Sequence, residues 1–251
     1  MINPFRALGS SLRDLFDDFL LLIICNLLWA LLSLPLWLLA YVLLGAGQPI
    51  AAAATAMIGV LPAGPATAGL FFVAHRVTEG LASKLGAFFT GVRRHARLGI
   101  ILTGIGVGGL LVILFNLGFY LNVTNLFGGI MLGLWLYLLI FWLGLQIYVF
   151  PLAFLQEQPD LRTIARNAFL MAVGRPIFTI LTLLLMGAFF LLSSFLIAPL
   201  VLFSTAFLTV WATRATRTLI DEARRRREAA DGTAPPAPDE ERGRRGQVRP
   251  K

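Results

Sequence analysis

Three stretches of the chain carry no charged residue: 19–74, 98–156 and 176–213. Each is long and dominated by Leu, Ile, Phe, Val and Gly, without the apolar–polar alternation of a soluble amphipathic element. About 20 apolar residues cross the hydrocarbon core of a bilayer. The pattern therefore predicts six transmembrane helices: Phe19–Leu44, Ile50–Ala74, Leu98–Leu121, Phe127–Leu152, Pro176–Ile197, and a sixth starting near Pro199 and continuing past Trp211. The fold class that follows is an all-α polytopic transmembrane bundle with short cytoplasmic amphipathic helices.

The segments between the uncharged runs have a different period. Residues 3–18 place Phe5, Leu8, Leu12, Leu15 and Phe16 at helical spacing, with polar residues opposite. They read as an interfacial helix lying on the membrane, or as a plain extension of the first span. The segments 87–95 and 168–176 are also amphipathic. They match at Ala87/Ala168, Phe88/Phe169, Val92/Val173 and Arg94/Arg175, a shift of 81. This is either a parallel repeat or a coincidence of biased composition. The organisation is an N-terminal interfacial helix (1–18), a membrane domain (19–230) and a Pro-, Gly- and Arg-rich tail (231–251), which has too little to bury and is expected to be disordered.

Composition agrees: 58% of the 251 residues are hydrophobic and 14% charged, with a mean hydropathy of +0.81. The first apolar run is too long for the core of a cleavable signal peptide, so the first span is expected to stay as an anchor. Charge then sets the topology. The segment before residue 19, the connections 75–97 and 153–175, and the tail after Thr213 hold two, five, three and eleven Lys or Arg, all 21 of the chain. The connections near GAGQ, NVTN and IAPL hold none. Six spans with both termini cytoplasmic put every basic residue on one side, as the positive-inside rule requires. The protein is expected in the plasma or inner membrane, with anionic headgroups as partners of the basic clusters at Arg93–Arg94 and Arg224–Arg227. The basic tail lacks aromatics for base stacking, which argues against nucleic acid.

One stretch interrupts the pattern. LPAGPATAG, 61–69, puts two prolines and two glycines inside an apolar run. Proline in a helix interior removes a hydrogen bond and costs about 3 kcal/mol, whereas in a first turn it is well placed. The expectation is a helix break between Gly59 and Pro65, packed against other spans, with a new helix begun by Gly64-Pro65.

Chemistry is sparse. No span carries the charge that marks an ion pathway. Asn26, Ser33, Thr103, Asn116, Gln146, Ser193 and Ser194 are the polar neutral residues within spans; they line a substrate path or, the favoured reading, bond helix to helix. Gly104-x-x-x-Gly108 and Gly129-x-x-x-Gly133 have the spacing of close helix packing, expected inside the bundle. His75 and His95 lack companions for a metal site. Cys25 is the only cysteine and reads as a small hydrophobe. No nucleophile elbow, phosphate loop or carboxylate pair is present, so no enzymatic activity, metal or cofactor is expected.

NLLWALLSLP (26–35), GPATAGLFFVAHRVTEG (64–80) and GAFFTGVRRHARLG (86–99) resemble the YesL-like family of bacterial membrane proteins, a family of unestablished activity. The resemblance covers about the first 100 residues and implies, by association only, a role near carbohydrate uptake. The chain departs from the family's pattern at 36–63, an insertion that leaves open whether the first span ends near Pro35, with AAAATAMIGV as an added hairpin or re-entrant piece. The positions singled out as structural or functional are Asn26, Pro35, Pro62, Gly64, Pro65, Thr67, Arg76, Arg94 and Arg175. The expected function is a non-enzymatic accessory or scaffold protein, associated with a transporter; the rival is a permease for a small neutral solute.

Overall fold

The computed structural model describes residues 8–12, 18–81, 83–156, 160–196 and 203–231. These are almost wholly helical: α1 (residues 8–12), α2 (Phe19–Gly45), α3 (Pro49–Thr78), α4 (Leu85–Arg94), α5 (Ala96–Tyr120), α6 (Leu126–Leu155), α7 (Leu161–Gly174), α8 (Pro176–Leu196) and α9 (Thr205–Ala230). Five of them, α2, α3, α5, α6 and α8, are long and apolar enough to cross a membrane. Their outer surfaces are apolar as well: Ile50, Leu126, Ile177 and Phe195 are each more than 80% exposed. Water would disfavour such a surface and lipid accepts it. The chain is an all-α polytopic membrane protein. Most of the interfacial segment 1–18 and nearly all of the tail 231–251 lie outside the described residues.

Local signals mark the corners. Gly47 (φ 74°) turns the chain from α2 into α3, and Gly80 (φ 69°) ends the path out of α3; glycine populates this left-handed region without strain. Pro49 opens α3 at its first turn. Asn125 caps α6, its side chain accepting from the Gly128 N–H at 2.8 Å, and Asp160 caps α7 through the Thr163 N–H at 3.3 Å.

The predicted break in 59–65 is absent. α3 runs unbroken from Pro49 to Thr78 with Pro62 and Pro65 inside it, and α2 likewise passes through Pro35 to Gly45. The first span therefore does not stop at Pro35, and AAAATAMIGV is ordinary helix. The reason is an unequal cost. Two interior prolines forfeit one N–H bond each, at Ile58 and Leu61, whereas ending and restarting a helix would orphan four carbonyls and four N–H groups. In lipid those groups have no water to turn to.

α3 is the hub of the bundle, touching α2, α4, α5, α6 and α9. Its glycines recur every five residues, and five residues rotate a helix by about 140°. Each therefore faces a different neighbour. A Cβ on Gly59 would lie 2.8 Å from the Trp37 ring of α2; on Gly64, 2.6 Å from Ile100 Cα of α5; on Gly69, 2.8 Å from Val92 Cγ2 of α4. Gly99 faces Gly64 and Gly91 faces Gly69, so the α3–α5 and α3–α4 contacts are backbone on backbone. The two Gly-x-x-x-Gly motifs do not pack this way. Among the described residues, a Cβ on Gly108, Gly129 or Gly133 would meet nothing within 4 Å, and one on Gly104 would meet only Val60 at 3.6 Å. On α5 the close approach is instead at Gly109, which lies against the Trp142 ring of α6.

The sixth predicted span takes a different form. Residues 197–202 lie outside the described residues, and α9 is too polar to count among the five apolar helices. Its first half is nonetheless buried, with Phe207, Val210, Trp211 and Ala215 all at 1% exposure or less. Its threonines are satisfied within the helix: Thr209, Thr213 and Thr216 donate to the carbonyls four residues back at 2.7–2.8 Å. Further on, Arg217 reaches Glu79 at 2.9 Å and Arg175 reaches Glu222 at 2.5 Å. The charged half of α9 thus lies at the same end of the bundle as the α3–α4 and α7–α8 corners.

The two amphipathic helices are structurally alike, but not in the register that the sequence matches imply. α4 breaks at His95 before α5, and α7 breaks at Arg175 before α8. Phe88 and Ala168 are the buried partners, with Phe89 and Phe169 exposed. The structural equivalence is a shift of 80, so the residues that match at 81 fall on different faces.

Candidate functional site

Three places combine polar groups with position, and five of the nine residues singled out by the sequence (Asn26, Thr67, Arg76, Arg94 and Arg175) divide among them rather than converging.

The first is the buried start of α9. Ala206 lies eleven positions before Arg217 and therefore about 16 Å deeper in the bundle at 1.5 Å per residue. Its N–H, one of the orphan donors of a helix start, donates to Asn26 Oδ1 at 2.9 Å. Asn26 is 1% exposed. It belongs to α2, so a side chain 180 residues away supplies the cap. Among the polar residues within spans this is a helix-to-helix bond. Asn116 and Ser194 instead bond back to their own helices, at Val112 and Phe190. Thr67 is also interhelical, accepting from Trp29 Nε1 at 3.0 Å, and Tyr148 meets Thr179 Oγ1 at 2.8 Å. Thr179 spends its own proton on the Arg175 carbonyl at 3.1 Å, so Tyr148 is the donor.

The second is a cavity of about 230 Å³ between α2, α3, α5 and α6, lined by Trp37, Thr67, Thr103, Gly106, Trp142 and Gln146 among others. Its polar groups are mostly turned away. The Trp37 indole N–H is packed against Gly59, Thr103 Oγ1 is buried with no hydrogen-bond partner among the described residues, Thr67 accepts from Trp29, and the Trp142 indole donates to the Gly106 carbonyl at 3.2 Å. Gln146 is left as the main polar group facing a mainly apolar space.

The third is the charged end. Arg217 donates to both Glu79 Oε1 (2.9 Å) and His75 Nδ1 (3.1 Å). Arginine only donates, so Nδ1 accepts and the ring proton sits on Nε2, which faces Glu79 Oε2 at 3.5 Å. Next to it, Arg76 lines a shallow depression with Phe72, Lys84, Gly86, Ala87 and Thr90. His95, at the α4–α5 corner, rests against the rings of Phe72 and Phe154 at 5.7 and 5.0 Å. Burial and then the neighbouring Arg94 hold its pKa below the ordinary 6.5. Arg94 itself is exposed. Arg175 pairs with Glu222, whose Oε1 also accepts from Arg226 at 2.7 Å.

Pro35, Pro62, Gly64 and Pro65 take part in none of these three; Gly64 acts by packing, and the prolines sit in continuous helices. Arg217 and Glu222 were not marked from sequence. His75 and Glu79 are four apart on one helix and signal a local pair, but Arg217 lies 138 residues away and only the fold brings it in.

The arrangement defines a class, a polytopic α-helical membrane protein with a glycine-packed centre and one charged end. No protein-family model, curated protein or solved structure matches the chain.

Proposed function

We propose that this protein is a non-enzymatic accessory or scaffold protein of the cell membrane, working beside a transporter. The observation that carries the reading is the seating of α3. Gly64 and Gly69 seat it against α5 and α4 at backbone distance, and Gly59 seats it against the Trp37 ring of α2; the cavity beside it is small and mainly apolar. A bundle packed this way suits a platform for partners more than an alternating solute path. The tie to carbohydrate uptake rests on the YesL-like resemblance of 26–35, 64–80 and 86–99 alone.

The same proposal puts both termini in the cytoplasm. The positive-inside rule supports this, since the basic corners and the charged half of α9 lie together at one end. That end would meet the anionic headgroups of the inner leaflet.

A second reading, a permease for a small neutral solute, draws on one observation: Gln146 faces the cavity between α5 and α6. Purified protein in proteoliposomes loaded with labelled sugars separates the two. The accessory reading expects flux equal to empty vesicles and recovery of a transporter subunit on mild purification from native membranes. Uptake by the protein alone, lost in Gln146→Leu, would overturn it.

A further inference from the structure

The corner between α7, α8 and α9 joins two features that nothing above assigns. On one side of α7 a cleft of about 490 Å³ opens against α9. Its polar wall is Asn167, Arg175, Arg224, Arg226 and Arg227, and its apolar wall includes Leu170 and Leu219. On the other side of α7 an apolar groove of about 310 Å³ is lined by Ala172, Val173 and Pro176, then by Phe141, Ile180 and Leu183 of α6 and α8. Pro176 directly follows Arg175, so the basic cleft and the apolar groove meet at adjacent residues.

The cleft has an excess of positive charge. Four arginines line it against one carboxylate, Glu222. That carboxylate draws in two of them, with Arg175 at 2.5 Å and Arg226 at 2.7 Å. Arg224 is held by Glu228 at 2.8 Å, and Arg227 has no ion pair among the described residues. Among the described residues Glu222 makes these bonds through one oxygen, and its buried Oε2 has no hydrogen-bond partner. A single carboxylate oxygen thus gathers two guanidinium groups where a phosphate, with more acceptor oxygens, could serve both and reach Arg227 as well.

We propose that this corner is a binding site for one anionic phospholipid, with the phosphate on Arg175, Arg226 and Arg227 and an acyl chain in the α6–α7–α8 groove. The neighbouring groove is what distinguishes a lipid from a free phosphorylated solute, which would have no use for it. The exposed apolar residues of α7, Phe169, Leu170 and Val173, set this corner at the level where headgroups meet acyl chains. The proposal rests on the membrane placement of the chain and not on its accessory role.

The test uses the full-length protein in neutral detergent, titrated with phosphatidylglycerol, phosphatidylcholine or glycerol phosphate, with bound lipid read by native mass spectrometry and the melting midpoint read in parallel. Phosphatidylglycerol should be retained and should raise the midpoint, and phosphatidylcholine should do neither. Arg226→Gln and Arg227→Gln should each weaken phosphatidylglycerol roughly fivefold, the effect of one basic residue at an anionic surface. Val173→Trp, which fills the groove, should reduce lipid retention. Glu222→Gln removes the resident anion and should tighten lipid binding, a gain that a damaged fold would not produce. Equal retention of phosphatidylcholine, unchanged affinity in Arg226→Gln/Arg227→Gln, or weaker binding in Glu222→Gln would overturn the proposal. Glycerol phosphate binding as tightly as the lipid would overturn it in favour of a small-anion site.

Discussion

Replacing Gly64 with alanine should destabilise the bundle, although alanine is the better helix former by about 1 kcal/mol. The added Cβ would stand 2.6 Å from Ile100 Cα, 2.7 Å from Ile100 N and 2.8 Å from the Gly99 carbonyl carbon. All three are backbone atoms of α5, so no side chain can swing aside. Ordinary contact begins near 3.5 Å, so α3 and α5 must part by about 1 Å. That separation loosens every contact along their seam. Overpacking of this kind costs about 1–3 kcal/mol, which cancels or outweighs the propensity gain. Gly108→Ala is the matched control on α5, because a Cβ there meets nothing within 4 Å among the described residues and the propensity gain remains. Thermal unfolding in detergent, followed by tryptophan fluorescence, should show Gly64→Ala melting below the wild type and Gly108→Ala at or above it. A chain of this size shifts by roughly 2–4 °C per kcal/mol, well within resolution. Gly64→Ala melting at or above the wild type would refute the backbone contact between α3 and α5.

Other outcomes follow from the buried polar groups and the charged end. Asn26→Leu should cost about 1–2 kcal/mol through loss of the α9 cap and speed hydrogen exchange in the first turns of α9 while leaving α5 unchanged. Glu79→Gln and Arg217→Gln should show a coupling of only about 0.2–1 kcal/mol in a double-mutant cycle, as for other half-exposed ion pairs. His95 has a folded pKa below its unfolded value, so it favours folding fully above about pH 6.5 and loses that contribution as pH falls below it. The stability difference between wild type and His95→Gln should therefore change as pH is lowered from 7 toward 5, in the direction that disfavours the wild type.

The spans were legible in the sequence because lipid imposes a simple demand, a long uncharged apolar run. Phe19–Leu44 was expected and Phe19–Gly45 is observed. Corners at Gly47 and Gly80 and caps at Asn125 and Asp160 likewise rest on local chemistry. What failed was tertiary. Pro62 and Pro65 looked like a break because a local reading prices the lost N–H bonds and not the orphan groups that a break would create. The Gly-x-x-x-Gly spacing pointed to Gly104 and Gly129, whereas the close approach joins Gly64 to Gly99, a pairing that spacing along one helix cannot reveal. Asn26 was marked as polar in an apolar span, but its role depends on Ala206, 180 residues away. The first half of α9 was read as part of an apolar span, and its threonines are buried by bonding to their own helix rather than by being apolar.

The central structural claim is a membrane bundle around α3 whose basic corners all face one side. Single cysteines introduced at Gln48, Asn122, Ser83 and Thr163, in a background where Cys25 is replaced by alanine, test it through labelling of intact cells with an impermeant maleimide. The account predicts labelling at Gln48 and Asn122 from outside, and at Ser83 and Thr163 only after the membrane is opened. Outside labelling at Ser83 or Thr163, or protection of Gln48 and Asn122 until lysis, would contradict it.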